Sequence, residues 1–282
     1  MSDFSIVTDS LASLPPNLIE RYDLKVAPQV LIWGEDEFLD GVDITPAQFY
    51  ARLKTDDVMP TTSQATLASF KAIYESLVPR GVPILTIVGS SELTATINSA
   101  QQAKALFPEA TIEIIDSKGV AMSLGFQVLA AARAREQGKS FQEAVDIARR
   151  AKDHTGVLFV VETLEYLHRG GRIGGAARLF GTVVNLKPLL ELRDGRVESV
   201  ERIRTKAKAY ARLAEVIVDR LADKEQIRLA TLHADAEEDA QALMREVQNQ
   251  LQVVETVHEE LTPVIGTHAG PGTVGLAYSF GM

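Results

Sequence analysis

Four polar clusters in the chain combine residue types that bind charge. The first is Pro60-Thr61-Thr62-Ser63-Gln64, with three adjacent hydroxyls. Such residues cap helices, because a Ser or Thr oxygen accepts from a free backbone N–H. They can equally donate to an anion. The second is Gly89-Ser90-Ser91-Glu92-Leu93-Thr94, directly after an apolar run over residues 83–88. In open α/β sheets ligands bind just beyond the carboxyl ends of strands. Hydroxyls at that point can hold an anion and cap a helix at once. The third is the Gly-rich stretch 266–275, which carries His268. Its glycines permit close backbone approach, and it lacks the Gly-Lys-Ser/Thr ending of a phosphate-cradling loop. Its imidazole is read either as a structural group or as a ligand contact. The fourth is Arg169-Gly170-Gly171-Arg172-Ile173-Gly174-Gly175 with Arg178 nearby, followed later by Arg202, Arg204, Lys206 and Lys208. In a chain of net charge -9, clustered cations read as a docking point for an anion or an acidic partner, or as a solvated face.

Other polar residues offer less. His154, His168, His233 and His258 show no metal-ligand spacing. No Gly-x-Ser-x-Gly elbow is present, so an ordinary α/β-hydrolase site is not expected. There are no cysteines, which excludes thiol catalysis, thiolate metal sites and disulfides. The acidic balance argues against a general nucleic-acid binder, which carries a basic surface. No apolar stretch is long enough to span a bilayer and the first residues lack a signal-peptide pattern. The expectation is a cytoplasmic protein without membrane insertion.

These clusters must be held by regular elements. At 282 residues and 46% hydrophobic content, the chain suits two domains with sizeable cores. In the first half, strand-like runs at 4–8, 25–33, 83–88 and 111–115 alternate with helical stretches at 11–22, 47–53, 66–77, 94–106, 122–137 and 141–152. Thr45-Pro46 and Gly138 serve as helix signals. That alternation implies crossover units and a mostly parallel sheet. In the second half, Asp194-Gly195 between two apolar runs is a hairpin signal. A helix over 176–184, a long helix over 206–222, a helix over 237–251 and strands at 156–161, 228–233, 253–259 and 275–280 complete it. The predicted fold class is α/β, with an N-terminal mostly parallel α/β domain (1–154) and a C-terminal α+β domain with a mixed sheet (155–282).

Taken in order, the clusters resemble the DegV family, which includes the FakB-type fatty-acid-binding proteins of bacteria. Val7-Thr8-Asp9-Ser10 with Leu14-Pro15 resembles the family opening. Pro60 to Gln64 resembles its Thr-Ser-Gln signature. Ser90-Ser91 with Leu93, Thr94, Thr96 and Ser99-Ala100 resembles its Ser-Ser segment. Asp116-Ser117, Gly170-Gly171-Arg172-Ile173, Arg204-Thr205-Lys206 and residues 263–275 match further elements. Two departures stand out. Glu92 and Ala95 occupy places usually held by small residues or glycine, and Ala65 follows the Thr-Ser-Gln signature where Pro is usual.

The resemblance implies a tunnel between two domains holding one long-chain fatty acid. Its carboxyl group would be held by Thr62 or Ser63, by Ser90 or Ser91, and by His268, with Arg172 and Arg204 serving the carboxyl end or partner docking. It implies no cofactor and no metal beyond that ligand. It also implies a partner, a fatty acid kinase resembling dihydroxyacetone kinases, which phosphorylates the presented carboxylate for phospholipid synthesis. No nucleotide loop or Mg²⁺-binding carboxylate pair is evident in the chain, so those parts are expected from the partner. The protein is therefore expected to be a lipid carrier and not an enzyme. The competing reading is a stand-alone phosphotransferase or hydrolase using His268 and Ser91.

Overall fold

A computed structural model describes residues 3–181 and 186–282. The chain opens on β1 (Ser5–Asp9), a 3-10 turn at Ser10–Ala12, α1 (Pro16–Arg21) and β2 (Leu24–Ala27). Next come β3 (Val30–Trp33), β4 (Asp36–Leu39), α2 (Pro46–Leu53) and β5 (Thr61–Ser63). They are followed by α3 (Leu67–Leu77), β6 (Ile84–Val88), α4 (Thr96–Lys104), β7 (Ile112–Asp116), α5 (Met122–Glu136) and α6 (Phe141–Ala151). The second half runs β8 (Thr155–Val160), α7 (Glu165–Arg169), β9 (Leu189–Arg193), β10 (Arg196–Glu201) and α8 (Lys206–Leu221). It ends with β11 (Ile227–His233), α9 (Glu237–Gln248), β12 (Val253–Glu260), α10 (Pro263–Ala269) and β13 (Val274–Ser279).

Among the described residues the strands form three sheets. Four strands in the order β2-β1-β6-β7 are all parallel. Six strands in the order β10-β9-β8-β13-β11-β12 are mixed, with β11 and β12 parallel and the rest antiparallel. The predicted α/β class with a parallel and a separate mixed sheet is what the chain adopts. A small antiparallel sheet, β4-β3-β5, was not predicted.

That small sheet explains two differences from the sequence reading. The apolar run over 25–33 is two strands in two different sheets, broken at Pro28, which cannot donate to a ladder. Thr61-Thr62-Ser63 is neither a helix cap nor a loop but a strand paired to β3, with Thr62 opposite Leu31. The capping role falls to Thr66, whose hydroxyl accepts from Ser69 N–H. The predicted helix over 11–22 is likewise interrupted, because Ser13 adopts a left-handed conformation (φ 45°) before Pro15-Pro16 restarts it. The helix expected over 176–184 is a 3-10 segment at Gly174–Leu179, and its last residues lie outside the described ones.

Helix α5 ties the halves together. Nearly all its residues are buried, as expected of a helix with apolar groups on every side. It packs on β1 and β6 of the parallel sheet and on β8 and β13 of the mixed one. One hydrophobic cluster therefore runs from Phe4 and Ile6 through α5 to Ala230, Leu232 and Ala277. Asp194 and Gly195 both take positive φ (51° and 83°), the two-residue turn that closes the β9–β10 hairpin.

Candidate functional site

Between the small sheet, the inner face of the mixed sheet and α10 lies a cavity of about 260 Å³. Its walls are mostly aliphatic: Leu11, Val120, Ala121, Val157, Phe159, Leu192, Leu232 and Val264 among others. Polar residues also line it: Thr62, Ser63 and Gln64, Thr94 and Gln29, and Arg172, His268 and Thr273. An apolar cavity with a few convergent polar groups is the form of a small-molecule site.

The stretch around His268 is not the loop expected from its glycines. Pro263 occupies the first turn of α10, where its fixed φ suits a helix, and Gly270 ends the helix at φ 79°. The near end of α10 is anchored by Asp40, whose carboxylate accepts from Val264 N–H at 3.2 Å and from Ser10 Oγ at 2.7 Å. Burial pushes the Asp40 carboxyl up to about 6, and burial does the same to Asp9. Ser10 Oγ in turn accepts from Gln29 N–H. Gln29 Nε2 donates to Thr96 Oγ1 at 2.8 Å, and Thr96 shares a 2.9 Å hydrogen bond with Thr94. A continuous polar chain thus links the foundation of α10 to the wall that carries Thr94.

Strand β5 faces α10, and Thr62 Oγ1 lies 2.7 Å from His268 Nε2. The other ring nitrogen, Nδ1, is buried without a hydrogen-bond partner. It lies against Gly170, where any Cβ would overlap the imidazole. A buried orphan N–H costs more than an unfilled lone pair. The proton therefore belongs on Nε2, which donates to Thr62 and leaves the Thr62 O–H free to donate into the cavity. Burial, followed by the nearby Arg172 charge, lowers the His268 pKa to about 4, so the ring is neutral at pH 7. Arg172 crosses between the two halves. Its Nε donates to Leu93 O at 3.1 Å and its Nη1 to Gly170 O at 2.6 Å.

Thr62, Ser63, His268 and Arg172 thus share the cavity, whereas Ser90, Ser91 and Arg204 are not among its lining residues. Ser90 is fully buried; its hydroxyl donates to Gly195 O at 2.9 Å and accepts from Glu92 N–H. Ser91 Oγ accepts from Lys118 Nζ at 2.8 Å. Helix α4 starts at Thr96, so neither serine caps it. Arg204 is exposed in the segment before α8. The wall residues from this segment are Leu93, Thr94 and Ala95. The signal for them was present, since the hydroxyl run continues to Thr94 and Thr96, but the turn that brings them inward was not legible.

The two departures from the family pattern also find their places. Glu92 accepts from Arg196 at 2.6 Å and from Lys118 at 3.4 Å, away from the cavity, and the Arg196 hydrogen bond lowers its pKa. Ala65 is fully buried among Phe70, Tyr74 and Val88. Among the described residues no group of three or more His, Asp or Glu is placed to hold a metal ion. Among them, too, no helix is long and apolar enough to cross a membrane.

Known proteins share this fold. Residues 3–281 match the DegV family. A DegV domain-containing protein of Clostridium perfringens is 33% identical over 278 residues, covering 97% of this chain and 98% of its own. The structure of a DegV family protein from Thermus thermophilus, described as fatty acid binding, superposes with a TM-score of 0.92 at 32% identity, covering 98% of this chain and 99% of the other. A protein from Eubacterium ventriosum, described as stearic-acid-binding, gives 0.90 at 25% identity, covering 99% and 98%. By a match over nearly its whole length, the chain belongs to the DegV family.

Proposed function

We propose that this protein binds one long-chain fatty acid with its tail in the apolar cavity and its carboxylate at the Thr62–His268 end. The observation that carries the reading is a mostly aliphatic cavity that Thr62, hydrogen-bonded to a neutral His268, and Arg172 also line. Each buried CH₂ contributes about 0.8 kcal/mol, so about fourteen methylenes give a gross ~11 kcal/mol, from which association costs are subtracted. The carboxylate needs donors in compensation. Thr62 supplies one with its orientation set by His268, Ser63 lies beside it, and Arg172 brings positive charge. The fatty-acid-binding descriptions of structural neighbours support the same assignment.

In this reading the chain forms two domains, 1–154 and 155–282, with the ligand between them. It acts in the cytoplasm as a carrier, needs no cofactor, and offers the carboxylate to a dihydroxyacetone-kinase-like fatty acid kinase that makes the acyl phosphate. Arg204, exposed beside the basic segment that opens α8, serves the docking face. Ser90 and Ser91 support the head group at one remove, by fixing the loop that carries Thr94. The alternative of a hydrolase or phosphotransferase built on His268 and Ser91 finds less support, because the Ser91 hydroxyl is engaged by Lys118 outside the cavity that His268 lines.

Extraction of lipid from freshly purified protein, followed by mass spectrometry, tests the proposal. About one equivalent of a C14–C18 acid per chain is expected, and protein free of lipid that also takes up none from solution would refute it. Mixing the loaded protein with the kinase and ATP should yield acyl phosphate, and the carrier alone should yield none.

A further inference from the structure

The apolar cavity ends at a plane where three chain segments change character together. Along β8, Phe159 and Val157 line the cavity. Val157 also borders a second hollow of about 160 Å³, whose other β8 residues are Gly156 and Thr155. Along the β9–β10 hairpin, Leu192 lines both spaces and Asp194 only the second. Before α5, Val120 and Ala121 line the cavity and Gly119 lines the hollow, as do Ser123 and Gln127 of α5 itself. Leu158 stands opposite Glu191 in the antiparallel register, so Val157 and Leu192 are neighbours one step further along.

Along β8 this plane lies on the far side of Phe159 from the mouth formed by Thr62, His268 and Thr273. Val160 pairs with Val274, next to Thr273, which lines the mouth with His268. Going back along β8 the order is mouth, Phe159, Val157, then Thr155, at roughly 3.3 Å per residue. Beyond the plane the surroundings are unsuited to a methyl group. Gln127 Nε2 donates to Ser117 O, Ser123 O and Thr155 Oγ1, but its Oε1 is buried without a partner. The hollow is also lined by Lys118, Lys152, Asp153 and Asp194, whose charged groups a hydrocarbon chain would have to desolvate.

We propose that the Val157–Leu192 pair is the end stop of the acyl channel and sets the longest chain the protein accepts. This rests on the fatty-acid reading above, and the two fail differently. Protein stripped of lipid on a hydrophobic resin is offered an equimolar mixture of saturated C12–C20 acids, and the bound set is quantified by mass spectrometry. The wild type should show a sharp upper limit in length. Leu192→Phe should move that limit down, with the bound C18:C14 ratio falling on the order of tenfold, equivalent to about two methylenes left unburied. Leu192→Ala should admit longer chains. If Leu192→Phe does not give a folded circular-dichroism spectrum, Val157→Leu carries the same test. A folded variant with full occupancy and an unchanged length profile overturns the end stop while leaving fatty-acid binding intact. A wild type that takes up no acid removes both.

Discussion

Two hydroxyl-rich segments look equivalent in the sequence and do different work in the fold. Thr61-Thr62-Ser63 forms an edge strand whose central hydroxyl meets His268 at the cavity mouth. In Ser90-Ser91-Glu92 the first and last residues turn their polar groups toward the other half of the chain, while Ser91 is held by Lys118. Ser90 donates to Gly195, Glu92 pairs with Arg196, and the next residue, Leu93, accepts from Arg172. The first segment offers a donor to whatever enters; the second clasps the hairpin against the parallel sheet. Residue type does not separate these roles. What separates them is whether the hydroxyl's own proton already has an acceptor in the protein.

The contrast can be broken at several points. The largest effect should come from His268. Between about pH 6.5 and 4 the unfolded chain takes up a proton at this position that the folded chain refuses. Stability should therefore fall as the pH drops through that window, by up to about 3 kcal/mol. Asp9 and Asp40 act in the opposite sense, because their folded carboxyls protonate near 6 and unfolded ones near 3.8. Denaturant titrations of wild type and His268→Gln from pH 7 to 4 isolate the histidine, and the variant should lose less stability on acidification. Next comes Thr62→Ala, which removes a donor to a charged group worth roughly 1.5–3 kcal/mol. Fatty-acid affinity, measured by displacement of a fluorescent acid, should drop about ten- to a hundredfold, and loss of the acceptor for the His268 N–H should also lower the melting temperature. Ser90→Ala should affect stability alone. It leaves Gly195 O without its donor and costs about 1–2 kcal/mol of stability in thermal or urea unfolding, while affinity changes little. Smallest is Glu92→Ala, for which the affinity for the same acid should stay within about twofold, since exposed ion pairs contribute little. A large gain in affinity would mean that this carboxylate does face the head group.

How much was legible follows from the same physics. Strands β1, β6 and β7 and helices α5 and α6 could be read because short apolar runs and the Gly138 stop between the two helices are local signals. Strand β5 could not, because three polar residues become a strand only through the unpaired edge of β3. Helix α10 was read as a loop because of Gly266 and Gly270, yet Gly266 is needed for close packing on Tyr50 and Phe49, not for a turn. At the site, Thr62, Ser63, Arg172 and His268 lie in clusters picked out by residue type, were named through the family resemblance, and line one space. Thr94 and Gln29 were missed as wall residues, since their placement depends on a polar chain running through Ser10 and Thr96.

The contact between Gly170 and the His268 ring has a consequence for how this protein can change. Gly170 and Gly171 are adjacent, but only Gly171 is a glycine for its own backbone's sake, with φ at +69°. Position 170 has ordinary helical angles (φ -74°) and would accept alanine were the imidazole not there. The two positions therefore form a lock that is replaced as a unit. A side chain at 170 becomes tolerable only once residue 268 has shrunk, and any lineage that gives up the histidine is released from the glycine as well.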